Sequence, residues 1–212
     1  MKHLKYLVII LFALLQNNCS KEPEPIEEYD DPFYTKFTNE EVMAVAEEGL
    51  PSFLESISFF GIEDFGFISE GEFEQIEIKT PYLKLITTLA FKYDSSFVHI
   101  GKYLQNFNEW DVPLTINDEI RCFLTVWAPN DTLICAGGGG STVAERVTDC
   151  EKTHNIQDVE NKYIIDSNVY DKCKFIIWKP DSTMKIYMIF KEGYNCIDTV
   201  YNSFEDFFNS YK

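Results

Sequence analysis

The chain has 212 residues, with 18 lysines and arginines against 35 aspartates and glutamates, a formal charge of −17. That balance repels phosphate backbones and anionic lipid head groups, which argues against nucleic-acid binding and requires any membrane link to be covalent. Aromatic residues make up 16% of the sequence, high for an acidic chain, and point to a packed globule.

The N-terminus places Lys2, His3 and Lys5 before an apolar run from Tyr6 to Leu15, followed by Gln16-Asn17-Asn18 and Cys19. The run is too short to span a bilayer and fits the apolar region of a secretory signal. The segment after it, SKEPEPIEEYDDP, is acidic, proline-rich and poor in apolar residues, so it reads as a tether that cannot order itself. A cysteine closing such a signal resembles a bacterial lipoprotein signal. The resemblance implies cleavage before Cys19 and lipid on its thiol, although Gln16-Asn17-Asn18 are not the small residues usual there. An acidic stretch after that cysteine is also similar to the export signal of surface lipoproteins of Bacteroidota-type bacteria. The expected organisation is a signal peptide at 1–18, a lipidated cysteine and acidic tether at 19–35, and one domain at 36–212. The lipid bilayer is then a partner, with an outer-membrane, surface-exposed location expected and a periplasm-facing one as the alternative. Removing residues 1–18 takes away two lysines, which leaves 16 basic and 35 acidic residues and a mature charge of −19.

After the tether, Thr38-Asn39-Glu40-Glu41 has the pattern of a capping box, and Val42, Val45 and Ala46 follow at helical spacing. Pro51 ends that helix or opens a second one, and Gly61 stops the pattern. Residues 61–79 read as a loop with one short helix, and Tyr82–Thr88 and Phe97–Ile100 as short strands. In the centre, Val112, Leu114 and Ile116 alternate with polar neighbours, Asn117-Asp118-Glu119 interrupts, and Ile120, Cys122, Leu124 and Val126 alternate again, which predicts a hairpin. A turn at Pro129-Asn130-Asp131 leads to a third strand at Leu133-Ile134-Cys135. Four glycines then read as a flexible turn before a helix opened by Thr142-Val143-Ala144-Glu145 and running to about Lys152. Beyond a variable segment, Lys174–Lys179 and Lys185–Lys191 flank Pro180-Asp181-Ser182-Thr183 as a second hairpin. Phe204, Phe207, Phe208 and Tyr211 recur at helical spacing.

This order predicts an α+β domain, a mostly antiparallel sheet of meander plus hairpin with helices packed on one face. Thr80-Pro81-Tyr82-Leu83-Lys84-Leu85, Trp110-Asp111-Val112-Pro113 and Leu124-Thr125-Val126 resemble stretches of uncharacterised exported proteins over residues 40–145. The likeness implies a fold and no activity.

With Cys19 lipidated, Cys122, Cys135, Cys150, Cys173 and Cys196 remain in an oxidising compartment. Cys122 and Cys135 fall on consecutive predicted strands and are the first candidates for a disulfide; five buried thiols are the alternative. The glycine run lacks the lysine of a nucleotide loop, since Ser141-Thr142 follow Gly140, and no dinucleotide fingerprint is present. Cys150 and His154 share a helical face, but a zinc site would need further ligands. Carboxylate pairs such as Glu72 and Glu74 are too common here to mark a site, and no calcium loop occurs. Asp131-Thr132-Leu133, Asp181-Ser182-Thr183 and Asp198-Thr199-Val200 are similar to the O-glycosylation acceptor of exported Bacteroidota proteins, with Thr132, Ser182 and Thr199 as acceptors. No catalytic, cofactor-binding or metal residue is assigned. The expectation is a non-catalytic binding module anchored at the cell envelope, with an unknown protein or glycan ligand and an exposed aromatic patch involving Trp110 or Trp127. The alternatives are an immunity or inhibitor protein masking a basic surface, and an envelope hydrolase using carboxylates.

Overall fold

Thr38 opens the first helix through both halves of its capping box. Its hydroxyl accepts the Glu41 backbone N–H at 3.2 Å, and the Glu41 carboxylate accepts the Thr38 N–H at 2.8 Å. Helix α1 runs Asn39–Phe60 and ends at Gly61, whose φ of 111° suits a residue without Cβ. The break expected at Pro51 does not occur. Pro51 lies on the exposed side of a continuous helix, where water can take up the carbonyl that loses its N–H partner. The opposite stripe, Val42, Ala46, Phe53 and Ile57, is buried. The computed structural model describes residues 29–156, 161–167, 173–178, 184–190 and 200–210. Within it Asp31–Lys212 forms one compact unit.

Two 3₁₀ turns, Ile62–Phe65 and Glu70–Gln75, lead to strands β1 (Glu77–Ile78) and β2 (Tyr82–Thr87). Short helices α2 (Leu89–Tyr93) and α3 (Ile100–Tyr103) come next. The strand expected at Phe97–Ile100 is absent because His99 caps α3, its Nδ1 accepting the Gly101 N–H at 3.1 Å, while Phe97 stacks on Tyr103. Strands β3 (Leu104–Ile116) and β4 (Glu119–Trp127) form the expected central hairpin. Its loop is the pair Asn117-Asp118, at φ 52° and 61°, as a two-residue turn matching strand twist requires. Then follow β5 (Ile134–Gly139), α4 (Ser141–His154), β6 (Lys162–Ser167), β7 (Cys173–Trp178), β8 (Lys185–Phe190), β9 (Val200–Tyr201) and α5 (Phe204–Ser210). The tip of the β7–β8 hairpin and Tyr211 lie outside the described residues.

These strands form one sheet in the order β5-β4-β3-β2-β6-β7-β8-β9, with β1 pairing the far half of β3. Every pairing is antiparallel except β2 with β6. Strand β6 falls in the segment read as variable. Its Tyr163-Ile164-Ile165 run is buried on both faces and shows no alternation, so the signal that reveals half-buried strands is missing.

Two-sided burial also decides where the helices go. Leu83, Leu85, Val112, Leu124, Ile165 and Ile177 face a core covered by α1 and α5, with Phe91 of α2 and Tyr103 of α3. Tyr82, Phe123, Ile164, Ile176 and Ile189 face the other way, beneath Ala144, Val147 and Cys150 of α4. The α+β class and the mostly antiparallel sheet are as expected, while the helices occupy both faces, because apolar residues on the second face of β6 to β8 also need cover. A buried charge cluster fixes α4 there. Lys162 Nζ donates to Glu151 Oε1 at 2.6 Å and lies 4.4 Å from the Tyr82 ring centre, and the Tyr82 hydroxyl donates to the same carboxylate. Burial and the adjacent Glu151 carboxylate hold the Tyr82 hydroxyl well above its ordinary pKa. Removing one member of such a pair costs about 3–5 kcal/mol, because the other charge is left buried.

Three of the four glycines form the second half of edge strand β5. Gly139, Gly138 and Gly137 pair with Phe123, Leu124 and Thr125, and the turn expected there does not form. Helix α4 accordingly starts at Ser141 with Gly140 as its cap residue, so the capping box expected at Thr142 is not used. Gly138 is there for space and Gly137 for its φ of 123°. A Cβ on Gly138 would stand 2.5 Å from Phe53 Cε2 and from the Phe123 carbonyl oxygen, whereas one on Gly139 would meet nothing within 4 Å. Gly138→Ala should therefore destabilise the protein by about 1–3 kcal/mol in urea unfolding, and Gly139→Ala by no more than about 0.5 kcal/mol. Equal losses for the two would contradict this packing.

Candidate functional site

Helix α1 and strand β5 touch at two points. A Cβ on Gly49 would overlap Cys135, and Phe53 covers Gly138. Beside these contacts, on the flank of α1 turned away from the sheet interior, an open groove of about 450 Å³ is left. Its helical wall is Ser52, Ser56 and Phe60, each four residues from the next, and its floor is Cys135, Gly137 and Gly138. Phe65, set edge-on to Phe53 at 5.7 Å, closes one end. The groove exposes apolar surface: Phe60 is 79% exposed and Phe59, next to it on the same flank, 82%. Isolated exposed apolar residues are ordinary, but two adjoining aromatics, one of them lining the groove, form a patch of the kind found at interaction sites.

Strand β5 ends the sheet, and among the described residues nothing pairs with its outer side. Half of its backbone N–H and C=O groups therefore point away from β4. Beyond Cys135 it carries no side chain larger than the methyl of Ala136, no proline and no charge. The electrostatics are one-signed. The segments Phe37–Ile78 and Cys122–Glu145, which build the groove, contain no Lys, Arg or His. Glu48, Glu55, Glu63 and Asp64 are exposed on them. Of the cations that flank these segments, Lys36 pairs with Asp131 at 2.7 Å, Lys79 with Glu77 at 2.7 Å and Arg121 with Glu72 at 3.4 Å, while Arg146 is exposed on α4.

The structure separates most of the residues singled out in the sequence. Cys122 and Cys135 are free thiols, and the expected bridge between them does not form. Cys135 lies opposite Val126, four residues along β4 from Cys122. That is about 13 Å of strand, against the 4.4–6.8 Å between Cα atoms that a disulfide spans. Consecutive strands alone did not specify that register. Burial pushes the Cys122 thiol up to about 12. Cys150 is buried on the sheet-facing side of α4, and the His154 ring packs 4.2 Å from that of Tyr187, so the two do not converge on a cation. Among the described residues no group of three or more His, Cys, Asp or Glu could hold a metal ion. Glu72 accepts the Ile68 N–H at 2.6 Å and pairs with Arg121, while Glu74 is exposed, so they do not face each other across a cleft. Trp110 is buried against Phe37, which removes it from any surface patch; Trp127 is exposed beside Ile134 near the sheet edge. Thr132 is exposed in the connection to β5. Cys19, Ser182, Thr199 and Cys196 lie outside the described residues.

No protein-family model, curated protein or solved structure matches the chain.

Sequence reasoning did not find the groove, since it depends on which side of α1 meets which strand. Two features of the sequence belong to it all the same: a glycine run between an apolar strand and a helix, and the lack of any basic residue over both groove-forming segments. Cys135 reports on the groove and Cys122 on the core. In the native protein a small maleimide should modify Cys135 and leave Cys122 untouched until denaturant is added, as mass spectrometry of the digested protein would show. Native labelling of Cys122 at the rate of Cys135 would contradict the burial assigned to it.

Proposed function

We propose that the protein is a non-catalytic binding module of the cell envelope, held to the membrane by lipid on Cys19 and engaging a protein partner through the groove between α1 and β5. The observation that carries the binding role is the groove itself: an apolar channel beside an unpaired strand edge, on segments whose exposed charges are all acidic. The channel has an unpaired backbone edge along its floor and aromatic rings on its rim, features that suit a polypeptide better than a small polar metabolite. The anchoring role rests on the apolar run Tyr6–Leu15 followed by Cys19, and on the acidic tether after it. The tether gives the domain reach, and its charge keeps it off anionic head groups.

The reading is tested in cells carrying the full-length gene, with the photoreactive residue benzoylphenylalanine placed at Phe60 or, as a control, at Glu145 on α4. The chain should incorporate labelled palmitate, fractionate with membrane and be cut by protease added to intact cells. Cys19→Ala should lose label and membrane association. Irradiation should yield a discrete adduct from position 60 and none from position 145. Label retained in Cys19→Ala would overturn the anchor, and adducts at position 145 alone would overturn the groove as the binding surface.

A further inference from the structure

The proposed module leaves open what the groove holds, and the structure carries that question further. Natural sheets protect their edges with short strands, prolines, charged side chains or covering loops. The β9 end of this sheet follows that rule with a strand of two residues. Among the described residues the β5 end does not. Strand β5 is six residues long, lacks charge and proline, and is bordered outside by the groove floor that its own Gly137 and Gly138 form. Its one irregularity is the register shift that leaves Ala136 unpaired between Cys135 and Gly137. The missing side chains leave open the space through which a further strand would approach.

We infer that β5 is an acceptor strand, and that its ligand is an extended, basic peptide segment which adds to Ile134–Gly139 as an additional strand under the flank of α1. The inference rests on the groove being the binding surface, and deepens that reading by naming the ligand's class. Backbone groups of the peptide pair with the outward N–H and C=O groups of β5, which supplies affinity without reading sequence. Every second side chain points to the α1 side, since side chains alternate along a strand. Those residues enter the channel between Ser56, Phe60 and Gly138 and are apolar. The intervening ones point to the other face, where Trp127 and Ile134 are exposed. Charge sets the ligand's sign. Glu48 and Glu55 bracket Ser52 on the rim, Glu63 and Asp64 stand at the end closed by Phe65, and neither groove-forming segment has a cation to offset them. Lysine or arginine at the ends of the peptide and on its solvent side completes the match and steers it in. A second copy of the chain fits less well, because two mature chains of −19 charge repel.

The test is selection from a phage library of randomised nonapeptides on the purified mature protein in detergent, followed by synthesis of the winners. Selected sequences should be enriched in Lys and Arg, alternate with apolar residues and contain little Pro, Asp or Glu. Raising salt from 50 to 500 mM should weaken them roughly tenfold. Ser56→Arg, an exposed helix substitution that fills and recharges the groove, should weaken them at least tenfold with an unchanged melting temperature. N-methylation of alternate peptide amides should abolish binding in one register and spare it in the other, which separates strand addition from simple groove filling. The inference is overturned if the library yields no binder, if the binders are not basic, if both N-methyl registers bind equally, or if sedimentation shows a dimer that shields β5 instead. Adducts at Phe60 in cells combined with any of those results would leave the groove as a binding surface and remove only the acceptor strand. Basic strand peptides selected in vitro, with cellular adducts found elsewhere, would do the reverse.

Discussion

The close approach of α1 to the edge of the sheet is the contact on which the candidate site depends. Gly49 lies against Cys135, and Phe53 lies over Gly138 with no room for a Cβ on either glycine. Stacked layers such as two sheets normally stand about 10 Å apart, and side chains from both sides hold a helix off a sheet in the same way. Glycine on both partners removes that spacer at two points, brings the α1 backbone down onto the last strand, and makes the groove beside it both narrow and floored by backbone. The same substitution weakens β5 as a strand, since glycine loses the most conformational freedom on ordering and offers nothing to pack. A long weak strand at an open edge is a poor structural ending for a sheet and a good place to receive a further strand.

The remainder of the architecture holds that edge in place. Strands β2, β6 and β7 are buried on both faces, so the sheet is clamped between α1 with α5 on one side and α4 on the other. Aromatic packing of Phe91, Tyr103, Phe204 and Phe208 closes the first core, with Tyr103 and Phe208 centroids 4.6 Å apart. On the second face the Lys162–Glu151–Tyr82 cluster sets the position of α4. Its hydrogen bonds are satisfied only in one register of helix on sheet, a specificity that apolar contacts alone give less sharply. Because α4 begins directly after β5, fixing α4 also fixes where the glycine strand ends.

Local rules were legible in the sequence and two-sided ones were not. The Thr38 capping box, the stop at Gly61, the turn at Asn117-Asp118 and the apolar strands on either side of residues 180–183 depend on neighbours in the chain, and they stand where the pattern put them. Strand β6 was invisible because burial on both faces erases alternation, and its partner β2 lies some eighty residues away. The glycine run was read by its intrinsic flexibility, yet Phe123, Leu124 and Thr125 on β4 impose strand geometry on it, a tertiary override of propensity. The Cys122 and Cys135 pairing failed for a related reason: consecutive strands do pair, but their register is set by turn length and the shift at Ala136, which spacing in the chain does not encode. The groove itself depends on which side of α1 meets β5, a long-range contact that local patterns do not carry, while the lack of basic residues around it was already present in the long stretches without lysine or arginine.

The central claim is that the outer edge of β5 is unpaired in the free protein, and amide hydrogen exchange followed by NMR on the monomeric mature chain tests it most directly. Alternate amides of Ile134–Gly139 should exchange close to the rate of an open chain, while those of β4 and β6 remain protected to the level of global unfolding. Uniform protection along β5, equal to that of β4, would mean that the edge is already covered and would contradict the claim.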